Sequence, residues 1–454
     1  MTARYIPLNG LLNRDESSTP SPRTASGWRL PKRWISFLIV TFTLLTTIYL
    51  FLGNGPPISY TGSQQFNGLP SVPSISSTSS PSSSVSYLLG SDEDSTKLWF
   101  PPLHDEREFR PTVASYNAPL ASLQRPRTPL FIAFTRNNAM LQQVVLSYIA
   151  AGWPREDIIV VDNAGTMDSN PRHLLTPKNP FYLDYDLFRN RYGVSILQTP
   201  TLLTFAQLQN FFLRVSMAHG WRYFFWSHMD VAVLSDEEAK PYKSFHARVL
   251  DVLSDLGVTA LDTDMGTPRN GEKNWAIKYF TYDWLTLVNV EAWRQIGAWD
   301  TFIPYYATDC DAYSRIVLNG FTKDDVRTGR IFDLPEALQD PEAKFFPPAS
   351  SSSSSQAADD SAPEGEPPGS RRYHLLVAEL EKLERRKPEN QRNNWQAALG
   401  EGGKGEPWTY DPDGFQKMWW ATAEKGRDMY RMKWGTSECR LDEHGVKLDD
   451  AWQT

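Results

Sequence analysis

The chain has 454 residues, with 46 Lys plus Arg against 53 Asp plus Glu and a formal net charge of −7. At ~100–200 residues per domain that length predicts about two or three domains, and the acidic balance argues against a protein that wraps nucleic acid through a basic footprint. Hydrophobic residues make up 41% of the chain, enough for a core, while two cysteines, Cys310 and Cys439, exclude a disulfide-dense scaffold and a four-cysteine zinc site.

Residues 1–33 form a basic tail, with Arg4, Arg14, Arg23, Arg29, Lys32 and Arg33 against Asp15 and Glu16. Trp34 to Leu52 (WISFLIVTFTLLTTIYLFL) carries no charge and no proline. At ~1.5 Å per residue this run spans about 29 Å, the thickness of a hydrocarbon core. It is longer than the ~7–15-residue apolar stretch of a cleavable signal sequence and starts farther from the N-terminus. No charge follows until Asp92, so the positive-inside rule predicts a cytosolic tail, a signal anchor over 34–52 and everything after it in a lumen or outside. Residues 53–100 read as a Ser/Pro-rich stalk (SVPSISSTSSPSSSVS), too polar and proline-broken to bury a core.

Residues 101–335 alternate strand and helix signals, the pattern of an α/β domain with a largely parallel sheet. LFIAFT (130–135), DIIVVD (157–162), Val194 to Leu197 and YFFW (223–226) are apolar runs of strand length. Ala139 to Ala151 places Leu141, Val144, Val145, Tyr148 and Ile149 on one helical face and stops at Gly152. Thr204 and Gln207 have capping-box spacing ahead of a helix that presents Phe205, Leu208, Phe212 and Val215. Residues 336–372 read as a low-complexity insertion with six consecutive serines, Ser350 to Ser355. Residues 373–454 form a Trp-rich segment, with one helix over Arg371 to Lys387 (Leu376, Leu380 and Leu383 on a face) and another over Asp413 to Gly435, expected to pack on the catalytic domain. The tryptophans serve as packing surface or as a platform for sugar rings. The two cysteines lie beyond the anchor and are either bridged or two buried thiols.

Three segments can carry chemistry. In IIVVDNAGTMD, Asp162 sits just past a strand, where a carboxylate accepts from a ribose hydroxyl or a base N–H; a backbone-bonded turn is the bland alternative. In FFWSHMDVAV, Asp230 ends a buried run. A carboxylate there can hold Mg2+ or Mn2+, which neutralises a diphosphate. His228 falls on the same side as Asp230 if the strand continues, and is otherwise structural. In GAWDTFIPYYATDCDAYSRIVLNGF, Asp309 and Asp311 precede a helix that ends near Asn319-Gly320. They are general-base candidates or simply acids favoured by a helix dipole.

Taken in this order, VVDNAGTMD, LLTFAQLQNFFL, FFWSHMDV and GAWD…TDCDAYSRIVLNGF resemble the GT-A glycosyltransferases, family-2-like members in particular, over roughly Pro129 to Asp333. The chain also resembles fungal type II membrane glycosyltransferases of the Golgi type. The resemblance implies a doubly wound α/β sheet of the nucleotide-diphospho-sugar transferase kind. It implies a nucleotide-sugar donor, a divalent cation (Mn2+ or Mg2+), a glycan or glycoprotein acceptor, and residence in a Golgi or other secretory-pathway membrane. Carried over by position, Asp162 with Asn163 meets the nucleoside and Thr135 and Arg136 border the base. Asp230 is the metal-binding Asp of the Asp-x-Asp motif, and Asp309 is the base with Asp311 beside it. The chain departs from the family where His228 replaces the first acid of that motif. An imidazole there donates to the donor sugar-nucleotide or joins the metal, favouring Mn2+. Thr308 stands where the family often has Glu. The departure also motivates two rivals to a hexosyltransferase: a catalytically inactive GT-A-like protein that binds glycans or acts as a scaffold, and a stalked lectin-like protein whose Trp-rich end does the binding.

Overall fold

The computed structural model describes residues 110–258, 274–347, 367–389, 396 and 398–453. The expected tail, anchor and stalk, and the serine run, lie outside the described residues. Among the described residues no helix is long and apolar enough to cross a membrane.

In chain order the regular elements are β1 (Leu130–Phe134), α1 (Asn138–Ala150), β2 (Ile158–Asp162), β3 (Ser195–Gln198), α2 (Phe205–Ala218), β4 (Tyr223–Ser227), β5 (Val231–Leu234), α3 (Phe245–Asp255), β6 (Trp275–Phe280), β7 (Leu285–Asn289), α4 (Val290–Gln295), α5 (Thr308–Leu318), β8 (Thr322–Val326), β9 (Arg330–Asp333), α6 (Pro341–Phe345), α7 (Arg371–Glu389) and α8 (Pro412–Trp434). Seven strands form a mixed sheet in the order β3-β2-β1-β4-β7-β6-β8, and β5 pairs with β9 in a small second sheet. The run β3-β2-β1-β4 is parallel, β7 is antiparallel to both neighbours, and β8 is parallel to β6.

Strand side chains alternate between two core layers. Leu130, Ile132, Phe134, Ile158 and Val160 enter one layer, which α1, α3 and α7 cover with Val144, Val249 and Leu380. Phe131, Ile159 and Val161 enter the other, where α2, α4 and α5 supply Phe212, Trp293 and Ile316. Burial on both faces is why these strands read as continuous apolar runs. Each large apolar side chain removed from water contributes ~1.5–3 kcal/mol, and Phe131 adds a stacked ring contact with Phe212 at 4.7 Å.

The chain winds outward from β1 to β2 and β3, then returns to set β4 on the other flank of β1. That reversal is a topological switch point, and the crevice for ligands opens at the carboxyl ends of β1, β2 and β4. The capping box forms as the spacing predicts: Thr204 N donates to Gln207 Oε1 at 3.0 Å while Thr204 Oγ1 accepts from Gln207 N.

The compositional boundary at Pro335 does not mark the end of folded structure. Leu338 and Phe345 are buried, and Glu342 on α6 pairs with Arg191. A few apolar anchors suffice there because α1 offers a surface to receive them: Leu338 N donates to Gln143 Oε1 at 2.6 Å. Cys310 and Cys439 are disulfide-bonded across a separation of 129 residues, which resolves the two alternatives in favour of the bridge. It joins α5 to the tail beyond α8, beside Ile303, Tyr430 and Trp434.

Candidate functional site

The site grows from three strand ends. Phe134 pairs with Asp162 and Ile132 with Ser227, so β2 and β4 flank β1 and are about 10 Å apart at twice the ~4.8 Å strand spacing.

At the end of β2, Asp162 is 2% exposed. Its carboxylate accepts from Ala164 N (3.1 Å), Asn170 Nδ2 (3.2 Å) and Tyr185 OH (3.0 Å). Burial pushes its pKa up against these three donors. Asn163 is also built into the scaffold. Its Oδ1 accepts from Leu203 N (2.8 Å) and Thr199 Oγ1 (3.0 Å), and its Nδ2 donates to Leu203 O (3.0 Å). Both side chains shape the loop beside the crevice rather than standing open in it. Gly165 completes the turn at φ +74°, where an added Cβ would meet Leu202 N at 2.9 Å.

At the end of β1, Thr135 is half-buried and Arg136 is buried. The Arg136 guanidinium lies 4.3 Å from the Phe415 ring and 5.8 Å from that of Tyr410. Burial lowers its pKa, with Tyr410 and Tyr305 opposing. The first-strand loop thus meets the C-terminal segment, across 274 and 279 positions in sequence, a contact that local patterning does not announce.

β4 stops at Ser227, and residues 228–230 form a turn before β5. The strand does not continue, yet the turn still gathers the two expected side chains: His228 Nδ1 lies 3.7 Å from Asp230 Oδ1. The other ring nitrogen, Nε2, faces Asp283 Oδ1 at 3.6 Å, and the ring stacks on Trp226 at 5.5 Å. Burial resists protonation, but Asp283 and Asp230 outweigh it and push His228 up to about 10. The ring is therefore an imidazolium at neutral pH, with both nitrogens protonated.

Asp230 leads into β5, and the first residue of that strand, Val231, pairs with Asp333 at the end of β9. The ladder brings the Asp230 and Asp333 carboxylates to one place. Lys387, in the last turn of α7, sits between them: Nζ donates to Asp230 Oδ2 at 2.7 Å and also to Asp333 Oδ1. Burial would raise Asp230, but His228 and Lys387 hold it well below the usual carboxylate range. Burial, then the Asp230 charge, raises Asp333.

Asp230 and His228, the expected ligands of Mn2+ or Mg2+, are engaged here by the chain's own charged groups. The positive charge between the two carboxylates is an ammonium. Among the described residues no three His, Cys, Asp or Glu side chains gather as a metal site. As arranged, these residues do not fit a divalent cation.

The two acids of α5 part company. Asp309, in the first helical turn, is half-buried. It shares with Asp283 the surroundings of Tyr279 and Tyr313, whose hydroxyls burial and these charges hold well above the ordinary tyrosine range. Asp311 is 0% exposed. It accepts from Arg315 Nε (2.9 Å) and Trp434 Nε1 (2.9 Å) and pairs with Lys433 Nζ (2.7 Å). Asp309 and Asp283 thus both act on the Tyr279–Tyr313 pair, and Asp311 fastens α8 onto α5. Asp283, Asp333 and Lys387 were not anticipated; Asp333 alone carried a signal, as an acid ending the apolar strand RIFD.

No protein-family model and no curated protein matches the chain. Among solved structures it has weak likeness to a mannosyltransferase from Pyrobaculum calidifontis in complex with GDP-Man and Mn2+ (12% identity, 47% of this chain and 58% of that one, TM-score 0.27). A cytidylyltransferase from Leptospira borgpetersenii shows 10% identity over 58% of this chain and 98% of that one, at a TM-score of 0.32. GalNAc-T7 with UDP, GalNAc and Mn2+ shows 13% identity over 49% of this chain and 47% of that one, at 0.31. The chain spans little more than half the length of the mannosyltransferase and less than half of GalNAc-T7. At such scores none of the three bears on the chemistry, which rests on the chain's own topology and side chains.

Proposed function

We propose that the chain is a glycosyltransferase of GT-A type that moves a sugar from a nucleotide-sugar to a hydroxyl of a glycan or glycoprotein. The observation that carries the reading is the gathering of Asp230, His228, Asp283, Asp333 and Lys387 at the carboxyl edge of a doubly wound sheet, at its switch point, with Asp309 and Asp283 both acting on the Tyr279–Tyr313 pair. Transfer needs cationic donors where charge grows on the leaving diphosphate and a carboxylate where a proton leaves the acceptor. His228 and Lys387 are the cations and Asp309 the base. Asp162 and Asn163 hold the loop that borders the nucleoside, and Thr135 and Arg136 close its other side.

The reading includes a type II membrane protein of the Golgi or another secretory compartment, anchored by 34–52 with the folded part lumenal. The basic tail supports that orientation, and the Cys310–Cys439 bond suits an oxidising lumen.

The test is a thermal-shift screen of the protein against nucleotide-sugars, followed by transfer assays on the stabilising donor. Only ligands that bind the folded state raise its melting point. Asp309→Asn should retain donor binding and lose transfer by ~10²–10⁴-fold; unchanged turnover removes Asp309 from the role. The rival reading, an inactive glycan-binding or scaffold protein, draws on the closure of Asp162 and Asp230 by their own partners. It predicts glycan binding with no response to any nucleotide-sugar.

A further inference from the structure

Two carboxylates brought together across a β ladder repel one another and need a cation between them. Asp230 and Asp333 are such a pair, and the cation is carried by the chain. Lys387 reaches them from α7, a helix that buries Tyr373, Leu376 and Leu380 in the main core, so the ammonium is held by folded structure on both sides. Its side chain is 11% exposed, against 13% for Asp230 and 25% for Asp333. A metal ion could take this position only by expelling an ammonium from a largely buried pair of carboxylates. An ammonium has three N–H donors. Lys387 directs one to Asp230 and one to Asp333, which leaves a third for an oxygen from outside.

We propose that Lys387 is the resident cation of this site: its ammonium takes the position between Asp230 and Asp333 that a divalent metal would fill, and its third N–H meets a phosphate oxygen of the bound nucleotide diphosphate. Nucleotide binding is then independent of divalent metal. The inference rests on the nucleotide-sugar reading for the identity of the phosphate, but not for the competition between lysine and metal.

Two measurements on the full chain test it. The first is calorimetric titration with MnCl2 alone. Wild type should take up no stoichiometric Mn2+ and Lys387→Met should take up one, lost again in Lys387→Met/Asp333→Asn. Stoichiometric Mn2+ binding by wild type that disappears in Asp230→Asn overturns the proposal. The second is binding of UDP and of GDP in EDTA and in Mn2+. Wild type should bind its preferred nucleotide equally in both. Lys387→Met should lose about ten- to a hundredfold in EDTA, the worth of a hydrogen bond to a charged group, and recover with Mn2+. Lys387→Arg, which keeps the charge, should stay metal-independent, and its melting point controls for folding. Binding by Lys387→Met in EDTA as tight as wild type refutes the phosphate contact. If neither nucleotide binds wild type under any condition, the phosphate contact and the nucleotide-sugar reading fall together. The Mn2+ titration then still decides whether lysine holds the cation position.

Discussion

Acidification should weaken this fold through one buried imidazole. His246 on α3 is 1% exposed, and its Nε2 lies 3.0 Å from Thr128 Oγ1. The Thr128 hydroxyl has one proton and gives it to Asp157 Oδ2 at 2.9 Å, so the ring must be the donor and is neutral with its proton on Nε2. Burial, and then the Arg125 charge, push its pKa down to about 3, with Asp157 opposing. The unfolded chain takes the proton near pH 6.5. A folded pKa depressed below that value means that falling pH favours the unfolded state throughout the interval between about 6.5 and 3. Linkage puts the loss from this residue at about 2 kcal/mol by pH 5 and about 4 kcal/mol by pH 3. Urea unfolding at pH 7.5 and 5.0 measures it, with His246→Gln as the reference. Glutamine keeps an N–H for Thr128 and does not titrate. Wild type should lose about 2 kcal/mol more than the variant between the two pH values. Parallel losses would show that the imidazole does not govern the acid limb.

Other perturbations separate scaffold from site. Asp311→Asn takes the buried counter-charge from Arg315 and leaves Lys433 paired with Asp300 alone, and breaking the buried Arg315 pair should cost about 3–5 kcal/mol in chemical denaturation; a loss under 1 kcal/mol would contradict the packing role. Cys439→Ser opens a loop of 129 residues, and loop entropy puts the loss at about 4–5 kcal/mol, with the bond itself read as a mass shift on reduction and alkylation. Gly165→Ala should destabilise the turn after Asp162, because its positive φ and the nearby Leu202 backbone leave no room for a Cβ; an unchanged melting point would refute that account.

The buried strands were legible because both their faces meet apolar layers, so Leu130–Phe134, Ile158–Asp162 and Tyr223–Ser227 stand out as unbroken apolar runs. β8 was not legible. Its sequence, TKDDV, is exposed for four of five residues and owes its strand conformation to pairing with β6 rather than to any face it buries. The same distinction runs through the site. Asp230 could be placed because it comes within four residues of the apolar run that ends at Trp226. Lys387 could not, because its two contacts span 157 and 54 positions and arise only once β9 has paired with β5 and α7 has docked. The acids of α5 are a different matter, since the information to separate them was local. Residues two apart on a helix point roughly 200° from one another, so Asp309 and Asp311 cannot both face one crevice. Arg315, four positions beyond Asp311, lies on the same helical face and is the partner that an inward carboxylate requires. An acid with a basic partner at that spacing on the buried side of a helix therefore reads as a fastening. The acid two positions earlier lies on the opposite side and is the one the proposed reading uses as base.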